Sequence, residues 1–127
     1  FEHRSFGEEL ALCQRYFVEC FTGDSAYESV GSGWAYGSNG GVVVYRPFIV
    51  PMRVQPTLAK SAAGTIHVSD DITTSTNISN MVTNTDVSSR NYAYMECAAS
   101  GAVTHRPYHV RANGTTTDAS LTFDAEL

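Results

Sequence analysis

Lysine is almost missing from this chain: Lys60 is the single one, and the seven arginines are scattered singly. Against 13 acidic residues the net charge is −5, so there is no basic row to neutralise a line of phosphates and no nucleic acid is expected as a partner. The same scarcity removes attraction to an anionic membrane surface. Long apolar runs are missing too. None approaches the roughly 18 residues that a membrane-crossing helix requires, and no membrane insertion is expected. The start, Phe1-Glu2-His3-Arg4, lacks the apolar stretch of a secretory leader. It also does not begin with Met, which suggests a piece of a longer or processed chain, with any targeting signal upstream. Cysteine is scarce: Cys13, Cys20 and Cys97 make no disulfide framework, and Cys13 and Cys20 match no zinc spacing. Reduced thiols serving as small apolar fillers are expected.

What is present points to one β-rich domain. The 127 residues suffice for one core and not for two. Charged residues reach only 17%, below the usual quarter, while Ser, Thr and Asn together supply 32 positions. That is a polar but weakly charged surface, typical of β-rich binding and structural proteins.

The first twenty residues stand apart. Leu10, Cys13, Phe17 and Cys20 recur at helical spacing, Ser5 and Glu8 fit a capping box, and Thr22-Gly23-Asp24 reads as a stop. A helix of about 12 residues is marginal alone in water, so its stripe must lie on the following domain or on copies of itself. After Gly23 the helical period disappears. Trp34-Ala35-Tyr36 sits between Gly31-Ser32-Gly33 and the 37–41 glycine turn; Val42-Val43-Val44-Tyr45, Phe48-Ile49-Val50, Thr65-Ile66-His67-Val68 and the alternating 91–99 segment read as strands. Residues 70–89 read as a long loop holding a strand or two. Asn113-Gly114 signals a hairpin, followed by alternation through Ala119, Leu121 and Phe123. Six to eight short strands with this punctuation predict an all-β fold, an antiparallel β-sandwich or jelly roll with a short N-terminal α-helix. The division expected is a helical connector and trimerisation segment at 1–22 and a β-sandwich tip domain at 23–127.

The segment from Phe1 to Phe17, FEHRSFGEELALCQRYF, resembles a motif of bacteriophage tail-fibre and other virion structural proteins, of the form PFEHRSxGEELALCQRYY. Val50-Pro51-Met52-Arg53, Gln55-Pro56-Thr57 and the terminal Phe123-Asp124-Ala125-Glu126-Leu127 resemble further elements of the C-terminal domains of such chains. Residues 60–120 match no named element. The resemblance implies a non-enzymatic virion component, made in the host bacterial cytoplasm and assembled as a homotrimer with other virion proteins at a fibre or spike end. There it would contact a host cell-surface glycan or outer-membrane protein. Head decoration, a neck piece or fibre organisation is the alternative, and a polysaccharide depolymerase a third. The trimer comes mainly from the resemblance, with Leu10, Cys13 and Phe17 as its expected interface.

No cofactor, metal or catalytic residue is expected. On a strand, His105 and His109 would lie about 13 Å apart, too far for one ion. Asp70-Asp71 with Asp86 or Glu96 offers a carboxylate pair for glycoside hydrolysis, but reads more simply as turn chemistry. Cys13, mid-helix on the apolar stripe, is read as inert packing. The 37–41 glycine run lacks the Lys-Ser/Thr of a phosphate loop. The sequons at Asn77 and Asn113 carry no meaning in a bacterial cytoplasm. The aromatics leave two readings open. Trp34 and Tyr36 share a strand face, and with Asn39 beside them they suit stacking on a sugar; alternatively the sole tryptophan fills the core. Tyr92 and Tyr94 also share a face, read as core or subunit-interface packing.

Overall fold

The computed structural model describes residues 5–21, 28–36, 40–61, 65–70, 75–113 and 119–126. After the helix α1 (Phe6–Gln14) come ten strands: β1 (Phe17–Glu19), β2 (Ser29–Tyr36), β3 (Gly41–Pro47), β4 (Thr57–Lys60), β5 (Ile66–Ser69), β6 (Ser75–Asn77), β7 (Asn80–Thr83), β8 (Tyr92–Ala98), β9 (Pro107–Ala112) and β10 (Leu121–Asp124). Seven of them pair in the order β6-β5-β9-β2-β3-β8-β7 and three in the order β1-β10-β4, all antiparallel. The expected all-β sandwich with a short N-terminal helix is what the chain forms.

Alternation builds the core. On β8 the inward positions Ala93, Met95 and Cys97 are buried; on β9 Tyr108, Val110 and Ala112; on β10 Leu121 and Phe123. These side chains join Val42, Val44 and Met52 in one cluster shared by both sheets, and Phe48 meets Phe123 edge to face at 5.2 Å. Tyr108 is fully buried, and its hydroxyl accepts the Val103 N–H at 2.8 Å, so its one polar atom is satisfied. Proline keeps to strand ends, with Pro47 closing β3, Pro56 preceding β4 and Pro107 opening β9. At Gly33 the backbones of β2 and β3 come so close that a Cβ would stand 1.7 Å from the Val43 carbonyl oxygen. Only glycine fits there.

Four expectations need correction. The helix ends at Gln14, well before the Thr22-Gly23-Asp24 stop, and Phe17 lies on a strand instead of on a helical stripe with Leu10 and Cys13. The physical reason is competition for backbone groups. The Arg15 carbonyl accepts the Arg53 N–H, the Tyr16 carbonyl accepts the Ala125 N–H (both 2.7 Å), and residues 17–19 pair with β10. The helix buries none of its residues; Ala11, Leu12 and Gln14 are half-buried, while Leu10 and Cys13 face solvent. Cys13 is therefore exposed and not packing. The hairpin expected at Asn113-Gly114 falls partly outside the described residues, and the strands before and after it do not pair with each other: β9 belongs to the large sheet and β10 to the small one. Finally, His105 is not on a strand. It occupies a turn ahead of β9 with φ 66°, in the left-handed region.

The segments carrying the family resemblance meet in space. Besides the Arg15–Arg53 and Tyr16–Ala125 backbone bonds, the Arg53 guanidinium sits 5.5 Å over the Tyr16 ring, Thr57 pairs with Asp124, and Met52 is fully buried.

Two outcomes follow for stability. Gly33→Ala must push β2 and β3 apart, and urea unfolding is expected to show a loss of about 3 kcal/mol. Burial raises the Cys97 thiol from 9.0 to about 12 and raises that of Cys20 in the same direction. The fold thus holds the protonated thiol, so this stability is intact below pH 9 and drains away as pH climbs towards 12. The urea midpoint should fall over that range more steeply for the wild type than for Cys97→Ala.

Candidate aromatic site on the outer sheet face

The outward positions of three neighbouring strands, β2, β3 and β8, gather a cluster of exposed and half-buried aromatic rings. Pleating sends Ser32, Trp34 and Tyr36 of β2, Val43 and Tyr45 of β3, and Tyr92, Tyr94 and Glu96 of β8 to the side away from the core. Register then sets the neighbours. One row across the sheet reads Trp34–Val43–Glu96–Val82; the row on one side reads Tyr36–Gly41–Ala98–Asn80, and on the other Ser32–Tyr45–Tyr94.

Ring contacts knit these rows together. Trp34 stacks on Tyr45 with centroids 6.4 Å apart and planes 20° from parallel, and Tyr45 meets Tyr94 edge-on at 5.1 Å and Tyr92 at 5.4 Å. The Tyr36 ring lies directly over Gly41, where an added Cβ would come within 2.9 Å of its Cε1. Trp34 is 48% and Tyr36 46% exposed, yet Val43 between the rows is only 2% exposed. The rings therefore roof the sheet into a continuous platform whose upper surface is open to water.

The polar edge of this platform is built as firmly. Asn84 donates from Nδ2 to Oε1 of Glu96 at 2.7 Å, and its own Oδ1 accepts the Asp86 N–H at 3.0 Å, an Asx turn that fixes the amide. The Asn84 N–H donates to the Tyr94 carbonyl, and Ser88 exchanges two hydrogen bonds with the Tyr94 backbone. Gln55 Nε2 donates to the carbonyls of Thr85 and Ser88. The 84–88 turn is thus tied to the strand that carries Tyr94 and Glu96. The Tyr94 phenol is held above its ordinary range, chiefly by burial, then by the nearby Glu96 carboxylate and by Tyr45 and Tyr36.

The candidates read from sequence fall out unevenly. Trp34 and Tyr36 are together and exposed, so the tryptophan does not fill the core. Tyr92 and Tyr94 are not core residues either; they are half-buried members of the same outer cluster. Asn39 lies outside the described residues. Tyr45 and Asn84 were not singled out by sequence; alternation from Val43 could have flagged Tyr45, whereas only the fold brings Asn84 to Glu96. Leu10 and Cys13 on the helix and Phe17 on β1 are exposed and lie away from this face. Of the carboxylates considered for hydrolysis, Asp70 is buried and ion-paired with Arg106 Nη1 at 3.1 Å, Asp71 lies outside the described residues, and Glu96 is held by Asn84. Among the described residues no group of three His, Cys, Asp or Glu converges as a metal site, and no helix is long and apolar enough to cross a membrane. No family model, curated protein or solved structure matches the chain.

Trp34 is the sole tryptophan, so its fluorescence reports on the platform directly. Tyr45→Ala removes the ring beneath it, and acrylamide quenching of Trp34 is expected to rise about twofold with little change in thermal midpoint, since an exposed face contributes modestly to stability.

Proposed function

We propose that this chain is a non-enzymatic binding and assembly module of a phage virion, the C-terminal domain of a tail-fibre-like protein that attaches to a sugar on the host surface. The observation that carries this reading is the aromatic platform: the only tryptophan and three tyrosines ring against ring, with Tyr36 beside Trp34 on the same face and both about half open to water. Burying such surface is favourable, and leaving it exposed in the free protein is the ordinary signature of a recognition site. Rigid aromatic rings beside a fixed carboxylate and amide are what a hydroxylated ligand needs, apolar ring faces below and hydrogen-bond partners at the edge. The virion assignment rests on the opening motif, and the meeting of its end with the segments at 50–57 and 123–125 supports it. Three stretches distant in sequence that resemble one family also meet in space.

The homotrimer belongs to the same proposal. A helix of nine residues with an N-terminal capping box and no buried side chain has little to hold it on its own subunit. Phe6 at 82%, Leu10, Phe17 and Ile49 at 91% exposure add apolar surface on the helix and near it, and packing against sister copies in the virion would cover it. The same surface favours a second reading, a head-decoration, neck or fibre-organising piece that touches only other virion proteins. The depolymerase reading is weaker, with Asp70 engaged by Arg106.

Light scattering on the full chain tests assembly: three times the monomer mass is expected, and Leu10→Asp with Phe17→Asp should return monomer with an unchanged thermal β-sheet signal. A wild-type monomer overturns the trimer. Binding of fluorescently labelled protein to intact bacteria separates attachment from a purely structural role; loss of cell binding in Trp34→Ala is expected, and equal binding by the variant removes the platform from attachment.

A further inference from the structure

The reading of the platform as a sugar site leaves the class of sugar open, and its charge pattern narrows it. Of the outward positions on β2, β3 and β8, Glu96 is the only ionisable acid or base besides the tyrosine phenols. Residues 37–39, which separate Tyr36 from β3 in sequence, are Gly-Ser-Asn and carry no charge. Beside β2, the exposed His105 donates its N–H to the carbonyl of Ala35, between Trp34 and Tyr36, while His109 and Arg111 of β9 stand opposite Ser32 and Ser29; two strands separate β9 from the one that carries Glu96. Arg106, next to Pro107 at the Trp34 end, is committed to Asp70.

We infer that the ligand is a neutral pyranoside, a hexose or N-acetylhexosamine unit of a surface glycan, lying flat on Trp34 and Tyr36 with its hydroxyls turned to Glu96, and that acidic sugars are rejected. This deepens the function proposed above and rests on it. The apolar face of a pyranose ring is the complement of an indole or phenol face. A carboxylate accepts hydrogen bonds from two hydroxyls of one sugar, and such charge-assisted bonds are the stronger kind. Asn84 holds one oxygen of Glu96, which restrains the rotamer and leaves the second oxygen to the ligand. A uronate or sialate placed on the same rings with its hydroxyls at Glu96 would bring its carboxylate towards that like charge, while the neighbouring Arg106 is already paired with Asp70. A flat platform is not a cleft: Val43 is already covered, so the sugar lies on the rings and stays half solvated. Monovalent binding is therefore weak, and useful affinity needs several platforms on one particle.

The experiment uses the full chain and a polymer carrier displaying glucose, galactose, N-acetylglucosamine, glucuronate or sialate at equal density, read by biolayer interferometry. Wild type should bind at least one neutral carrier and neither acidic one. Trp34→Ala should lose at least tenfold on that neutral carrier. Glu96→Gln, which keeps an oxygen for Asn84, should weaken neutral binding about three- to tenfold and narrow the gap between neutral and acidic carriers. If acidic carriers bind wild type as well as neutral ones and Trp34→Ala abolishes both, the sugar site stands and its neutral selectivity fails. If no carrier binds wild type, the sugar-site reading itself fails. If Trp34→Ala changes the mass found by light scattering, the face is a contact between copies and both fail. Because Trp34 is exposed, a folded variant is expected, and an unchanged circular dichroism spectrum checks it.

Discussion

The register of β2, β3 and β8 decides everything on the outer face. Side chains alternate with a period of two, so sliding β3 by one residue would turn Tyr45 and Val43 inward and Val42 and Val44 out to water. The register is held from below. Val42, Val44, Met95 and Cys97 bury their side chains completely or nearly so, and each would have to leave the core to permit a slip. It is held from within the sheet at Gly33, where backbones approach so closely that no other residue fits. The platform is thus a consequence of core packing on the opposite side of the same strands, and its rings contribute little to choosing the fold.

The small sheet answers a different need. Strand β10 has its two hydrogen-bonding edges taken by β1 and β4, which places Phe123 and Leu121 over the large sheet. To supply β1, the chain must abandon the helix at Gln14 although the apolar spacing continues to Cys20. Each residue moved from helix to strand exchanges one set of backbone hydrogen bonds for another, so the balance is set by side chains. Val18 packs on the core and Cys20 and Phe21 are buried where they stand, which a continued helix would not achieve. The remaining nine-residue helix keeps its capping box and has its start fixed by Ser5 and Glu8, with bonds of 2.7 to 3.3 Å between them.

These cases show where sequence alone informs and where it stops. Alternation is local, so the β class and the shared face of Trp34 and Tyr36 were legible, as were the buried Leu121 and Phe123. The capping box was legible for the same reason. The end of the helix was not, since 3.6-residue spacing at Phe17 and Cys20 fits a helix as well as it fits a strand and a bend. Asn113-Gly114 names a turn but not the destination of the chain after it, and here the next strand joins another sheet. The site was legible only in part. Whether Trp34 faces core or solvent depends on which side the neighbouring strands cover, and the meeting of Trp34 with Tyr45, or of Asn84 with Glu96, depends on register between strands far apart in sequence.

A site of this form has consequences for how attachment would work. Stacking on an open ring exchanges water on both partners for one contact, and hydrogen bonds to a half-solvated carboxylate replace bonds to water of nearly equal strength. The net gain per platform is small. Nor can charge bring a neutral ligand in, so association is not steered and depends little on salt. Strength must come from number: once one platform on an assembly holds a surface glycan, its sisters face neighbouring sugars at the high effective concentration set by their spacing. Under the proposed function the exposed helix and the aromatic face would be two halves of one device. The first would multiply a contact that the second makes individually weak, and a low-charge polar surface rich in Ser, Thr and Asn would let that multiplicity, and not nonspecific attraction, decide what is bound.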